Sequence, residues 1–252
     1  LESTLQSLES QTWPNLRILV ADDCSSDNSW DILQRVSTGQ NSRFQLFRQK
    51  HRLGWVDNTN FLLRHIDSDF FFLCYHDDIL ESNYVEALIM ALRKSEAVGA
   101  YGDVHLTKLD GTEEQIRYDN LAGITNPVTR ATSIINREGK AWVTNRGIFR
   151  TSALKVVGGL RKNLEGEYSA AYPWILGMAL EGQFLRVPEV LCRKIKYANG
   201  VSSHWMNGHR QNFAMTIDMI ESIWRSSLST QQQDTLLRAV LGKAGSFVPP
   251  AK

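Results

Sequence analysis

The feature that most constrains this chain is the run Asp69-Phe70-Phe71-Phe72-Leu73-Cys74-Tyr75-His76-Asp77-Asp78, an apolar stretch closed by two adjacent carboxylates. A continuous apolar segment bounded by polar residues predicts a strand covered on both faces, as inside a parallel sheet. Open α/β sheets bind ligands outside the carboxyl ends of their strands, so Asp77 and Asp78 stand where a ligand is expected. Neighbouring carboxylates repel, and unless solvated they need a cation. A hard divalent ion with oxygen ligands suits them, commonly one that also holds substrate phosphates.

The pattern occurs earlier as well. Leu16-Arg17-Ile18-Leu19-Val20-Ala21 is a mostly apolar strand candidate that runs into Asp22-Asp23 and then Cys24-Ser25-Ser26-Asp27-Asn28. Two strands presenting acids at one sheet edge make a polar crevice; solvated loop acids are the alternative.

The text between these strands reads as helix (Trp30, Leu33, Val36), short strand (44–47) and helix (Leu62, Leu63, Ile66), the last opened by Leu53-Gly54-Trp55. Strands alternating with helices at this spacing predict βαβ units and a mainly parallel sheet. Leu1, Leu5 and Leu8 open the chain at helical spacing, stopped by Trp13-Pro14. A strand would normally precede such a helix, which predicts that the sequence was cut from a longer one.

Past Asp78 the pattern predicts a helix from Ser82, a strand over 98–104 and a hairpin turn at Leu109-Asp110-Gly111-Thr112. Residues 118–140 read as a surface loop and 142–150 as extended chain. A short helix over 151–157 is closed by Gly158-Gly159, and another runs from Pro173 to Gly182. Two strand candidates flank Pro188-Glu189. From Asn207 the text is helical, with Phe213, Ile217, Ile220 and Trp224 on one face expected to pack on the body; a partner or membrane surface is the alternative.

With 252 residues, 42% of them hydrophobic, the chain can bury a sizeable core. A net charge of +1 without blocks of like charge gives no default case for nucleic acid as partner. No apolar stretch has the length of a transmembrane helix and no signal pattern opens the chain, which predicts a soluble cytoplasmic protein, with peripheral contact at the inner face of the membrane left open. Cys24, Cys74 and Cys192 are scattered without metal-ligand spacing, so thiols are expected rather than a disulfide framework or zinc site.

Taken together, the ordered motifs resemble the family 2 glycosyltransferases. The matching text is Ser7-Leu8-Glu9-Ser10-Gln11-Thr12-Trp13-Pro14-Asn15, Val20-Ala21-Asp22-Asp23-Cys24-Ser25-Ser26-Asp27, Leu53-Gly54-Trp55 with Asn58 and Asn60, and His76-Asp77-Asp78. Looser matches follow at Asn145-Arg146-Gly147-Ile148-Phe149-Arg150, Gly158-Gly159-Leu160 and Gly182-Gln183-Phe184-Leu185-Arg186-Val187-Pro188-Glu189, so that about residues 1–200 are covered. The resemblance implies an α/β, GT-A-type, Rossmann-like, mainly parallel sheet flanked by helices, with a C-terminal helical tail. It implies a glycosyltransferase domain over 1–205, with a nucleotide-binding part (1–105) and an acceptor part (106–205), and a helical extension over 206–252.

The activity implied is inverting transfer from a UDP- or dTDP-linked sugar to a glycan or lipid-linked acceptor, as in assembly of cell-envelope polysaccharide. The resemblance carries Asp22, Asp23, Asn58 and Asp77 over as nucleotide contacts. It carries Asp77 and Asp78, with His204 as a weaker candidate, over as ligands of a Mg2+ or Mn2+ ion acting as Lewis acid on the leaving diphosphate. Tyr75 stands where many relatives have a further aspartate. Inversion also needs a general base. Counting back from Gly182, its family position falls on Ala170 and Ala171, neither of which accepts a proton; Glu165 and Glu167 are the nearest substitutes. The alternatives are a catalytically impaired relative that binds nucleotide only, and a metal-dependent nucleotidyltransferase, which would usually show a Gly-rich phosphate loop. A pure interaction module built on the C-terminal helices would bind neither metal nor nucleotide.

Overall fold

The structure, a computed structural model, describes residues 1–38, 42–136, 140–198, 200, 205 and 208–245. In chain order the elements are α1 (Glu2–Glu9), β1 (Ile18–Asp22), α2 (Ser29–Val36), β2 (Phe44–Arg48), α3 (Trp55–Leu63), β3 (Phe70–Phe72), β4 (Asp78–Leu80) and α4 (Tyr84–Arg93). They continue through β5 (Gly99–Thr107), β6 (Glu113–Ile116), α5 (Pro127–Ile135), a 3-10 segment (Ala141–Arg146), β7 (Gly147–Arg150), α6 (Thr151–Val157), α7 (Ala171–Glu181), β8 (Phe184–Ile195), α8 (His209–Trp224) and α9 (Thr230–Gly245).

The α/β architecture matches the expectation, but the sheet is mixed. β1 and β2 pair in parallel as a unit of their own. The larger sheet runs β3-β7-β5-β8-β4, with β6 on β5; among the described strands only its β5–β8 pair is parallel. After Thr107 the chain reverses at a tight turn, with Gly111 at φ +80°, instead of crossing over through a helix. β8 is one strand rather than two. Its pairing with β5 steps from Val187 opposite Gly102 to Val190 opposite Asp103, so Pro188 and Glu189 bulge out and no ladder donor is missed.

The phenylalanine run departs from the sequence reading in an instructive way. β3 has three residues, lies at a sheet edge and pairs antiparallel with β7. Both its faces are nevertheless covered, which is why the run is continuously apolar. Phe72 meets Tyr84 of α4 at 5.4 Å and Phe71 meets Trp174 of α7 at 6.3 Å. Adjacent strand residues point to opposite faces, so α4 and α7 cover opposite sides of the sheet. The core between them includes Tyr101, Phe149 and Phe184, all fully buried.

Residues 118–140 are not simply a loop. Asn126 caps α5, its Oδ1 accepting the Thr129 N–H at 3.0 Å, and Pro127 opens the helix. The tail also differs in detail. α8 turns Met215, Met219, Ser222 and Ile223 inward, while Phe213, Ile217 and Trp224 of the expected packing face are exposed. Arg161 donates to the Asp218 carbonyl and the Ser222 hydroxyl, and that hydroxyl also lies 3.2 Å from the Pro173 carbonyl; these contacts set which face turns in. Among the described residues no helix is long and apolar enough to cross a membrane.

Candidate functional site

Among the described residues β1 and β3 each have one hydrogen-bonded neighbour, β2 and β7, and both line a cleft of about 1470 Å³. Its floor is apolar, with Ile18, Val20, Phe70 and Phe72. Its polar lining, here termed the mouth, includes Asp22-Asp23 at the end of β1 and Tyr75-His76-Asp77 between β3 and β4. The two acid-ended strands belong to different sheets and not to one sheet edge, yet both acid segments line this cleft, as do Lys194 and Lys196.

The first acid pair divides its work. Asp22 is buried, lies 3.5 Å from Arg48 Nε and accepts the Ser25 N–H at 3.3 Å. That turn is tight enough to hold Cys24 at φ 60°. Asp23 accepts the N–H groups of Leu53 (2.7 Å) and Gly54 (3.0 Å), one on each oxygen, which fixes its carboxylate in the mouth. Asn58 donates to the Ala21 carbonyl and accepts from Gln49, so it braces the end of β1.

The second pair divides further. Asp78 opens β4 and pairs antiparallel with Lys194 of β8. Its carboxylate is 1% exposed and bonds to Arg146 Nε at 2.9 Å. Burial works against the Arg146 charge, but Asp78 beside it outweighs this, and the guanidinium is held above its usual range. It also stacks near Tyr75 (4.7 Å) and Trp142 (4.8 Å). Asp78, expected at the metal, is thus turned into the protein and committed to an arginine. Asp77 faces the cleft, where its Oδ2 lies 2.7 Å from Lys194 Nζ. Among the described residues no three His, Cys, Asp or Glu side chains gather as a metal-binding group. His204 lies outside the described residues.

The segment before α7 is fastened to α3. Glu167 accepts the N–H groups of Trp55 (3.2 Å) and Val56 (3.0 Å), capping the first turn of α3. The approach is so close that a Cβ on Gly54, which sits at φ +90°, would collide with the Glu167 carboxylate. Asn60 exchanges two hydrogen bonds with the Leu160 backbone, and Lys162 reaches Asp57 at 2.6 Å. Glu165 pairs with Arg210 (3.1 Å) and Gln211 (2.9 Å) of α8. Both carboxylates weighed as substitute bases are therefore held by structural partners. Ala170 is buried at the start of α7, and Ala171, its first residue, lines the cleft. Of the tryptophans, Trp174 is core, whereas Trp55, Trp142 and Trp205 line the cleft.

Sequence reading missed Arg146 and Lys194. Arg146 was visible inside Asn145-Arg146-Gly147; Lys194 gave no local signal, because only the β4–β8 register brings it to the acids.

Comparison with known proteins bears on the family and the fold. A glycosyltransferase GlyG of Streptococcus pneumoniae is 23% identical over 164 residues, covering 62% of this chain and 52% of that protein. An uncharacterized glycosyltransferase of Haemophilus influenzae is 26% identical over 102 residues, covering 40% of this chain and 31% of its own length. The chain thus spans 31% to 52% of the length of the curated relatives it matches. Among solved structures, S. aureus TarS 1–349 with UDP-GlcNAc superposes with a TM-score of 0.70 at 16% identity, over 96% of this chain and 68% of that one. A mannosyltransferase of Pyrobaculum calidifontis, solved with GDP-Man and Mn2+, gives 0.57 at 14% identity, over 97% and 69%. These likenesses show the fold. The sequence model of glycosyl transferase family 2 matches residues 1–152, more than half of the chain, and the chain belongs to that family.

Proposed function

We propose that the chain binds a nucleoside-diphosphate sugar across the mouth of the cleft and transfers the sugar to a hydroxyl of a glycan or lipid-linked acceptor, with inversion. The observation that carries this reading is the presence of Asp23, just after β1, and Asp77, between β3 and β4, in one cleft with Lys194 and Lys196. A donor of the UDP or dTDP type is in keeping with TarS, which is solved with UDP and UDP-GlcNAc. Residues 1–105, joined by Lys194 and Lys196, supply the donor side, and the rest of 106–205 the acceptor side.

Asp23 is the nucleoside contact. A carboxylate accepts both a ring N–H and a ribose hydroxyl, and Leu53 and Gly54 hold this one in place without using all its lone pairs. The diphosphate lies toward Lys194. In the transfer, the acceptor oxygen bonds to the anomeric carbon while the bond from that carbon to the phosphate oxygen breaks. The nucleoside diphosphate leaves with the electron pair, and the acceptor proton passes to a base or to water. A divalent ion, which supplies Lewis-acid stabilisation of the leaving group where one is bound, does not fit the acids as they stand, with Asp78 on Arg146 and Asp77 on Lys194.

A second reading, nucleotide binding without transfer, is favoured by one observation, that Glu165 and Glu167 hold Arg210 and α3, and it joins the position that the resemblance gives the base, which reads Ala170-Ala171. Incubation with a panel of UDP- and dTDP-sugars, with release of nucleoside diphosphate as readout, separates the two. Saturable release from at least one donor supports transfer. Nucleotide binding without release from any donor favours the second reading, and no binding by the folded chain overturns both.

A further inference from the structure

We infer that the Lys194 ammonium, and not a divalent cation, neutralises the donor's diphosphate, so that this chain binds its nucleotide independently of metal. The inference rests on the nucleotide-sugar reading of the cleft. The argument is one of ligand chemistry. Asp78 is 1% exposed and bonded to Arg146, which removes it as a ligand reachable from the cleft. Tyr75, two residues before Asp77, offers a phenol in place of a carboxylate, and its ring carries the Arg146 guanidinium at 4.7 Å. Asp77 is the remaining carboxylate of the motif, and its Oδ2 is taken by Lys194 at 2.7 Å.

Lys194 is placed by the fold and not by chance of rotamer. It is the antiparallel partner of Asp78 in the β4–β8 ladder, so the sheet register delivers its side chain to the acid pair. Its Nζ lies between Asp77 and Asp78, at 2.7 and 3.6 Å, with the side chain 15% exposed. An ammonium has three donors, and the bond to Asp77 leaves donors free for a phosphate oxygen. Lys196 lies two residues on, also lines the cleft, and adds a second positive charge along the diphosphate's path. A divalent ion on Asp77 would have to settle beside this ammonium or displace it, with like-charge repulsion in a half-buried site opposing the first.

The test is calorimetric titration of UDP into the full chain in EDTA and in Mn2+, for wild type, Lys194→Met and Lys194→Arg. Wild-type affinity is expected to agree within a factor of about two between EDTA and Mn2+. In EDTA, Lys194→Met is expected to bind at least about tenfold more weakly, while Lys194→Arg, which keeps the charge, binds near wild type. Wild-type binding that requires Mn2+ overturns the inference and leaves the nucleotide-sugar reading standing. Unchanged affinity of a folded Lys194→Met in EDTA also overturns it. Absence of UDP binding by folded wild type in both buffers overturns the nucleotide-sugar reading, and the inference with it. Should Lys194→Met fail to fold, the wild-type comparison between EDTA and Mn2+ decides by itself.

Discussion

Replacing Asp78 by alanine separates a structural carboxylate from a ligand-binding one. A solvated acid at a cleft mouth contributes little to stability, and its removal would be felt only in binding. The structure places Asp78 differently. With 1% of its side chain exposed, it is the ion-pair partner of Arg146, itself 9% exposed. Removing one member of a buried pair strands the other charge, at a cost of about 3–5 kcal/mol. The lower end applies here, because Arg146 keeps its stacking on Tyr75 and Trp142 and a little solvent. A loss of about 3 kcal/mol in a domain of this size lowers Tm by about 6–12 °C. Thermal melting followed by circular dichroism is the assay, with Asp77→Ala as control, since Asp77 and its partner Lys194 are both partly exposed. Asp77→Ala is expected to lower Tm less than Asp78→Ala, because its partner Lys194 keeps Asp78 at 3.6 Å and some solvent. An Asp78→Ala variant melting within 2 °C of wild type would refute the buried-pair argument.

Three further outcomes follow from other parts of the molecule. Glu167→Ala removes the acceptor for two N–H groups of α3 and should cost about 1 kcal/mol in urea denaturation; a fall in turnover of a hundredfold or more would instead identify Glu167 as the base. Ala171→Asp places a carboxylate at the cleft-lining first residue of α7, where a helix N-terminus favours negative charge, and is expected to raise donor-dependent transfer at least about tenfold if a base is what the chain lacks; no change would refute that account. Asp218 is pushed up to about 6 by burial, with Arg161 opposing. Its folded pKa is raised, so its stabilising contribution is complete below about pH 4 and is lost as pH rises through 6, amounting to about 3 kcal/mol at most. Asp218→Asn should therefore gain on wild type as pH goes from 4 to 8, and equal urea midpoint shifts at both pH values would refute the assignment.

How much of this was legible in the sequence follows from which interactions are local. The acids after β1 and after β3 were readable, because an apolar run ending in a carboxylate is a local pattern, and the fold does bring both to one cleft. Which acid of Asp77-Asp78 faces the ligand was not readable. That depends on β4 starting at Asp78 and on Arg146, 68 residues away. The α5 helix had a local signal in Asn126-Pro127 that the polar composition around it obscured. The face of α8 was misjudged because its apolar stripe at Phe213, Ile217 and Trp224 is the more regular pattern, whereas the packed face mixes Met215 and Met219 with Ser222. Periodicity finds an apolar face; it does not find the polar contacts from Arg161 that decide which face turns inward.

The central claim is that the mouth of the cleft is a nucleoside-diphosphate site with Asp23 at the nucleoside end and Lys194 at the diphosphate end. A crystal structure of the chain grown with UDP tests it most directly. The account predicts the base or ribose within hydrogen-bond distance of the Asp23 carboxylate and a phosphate oxygen within about 3 Å of Lys194 Nζ. A nucleotide bound elsewhere, or at the mouth with neither residue in contact, would contradict it.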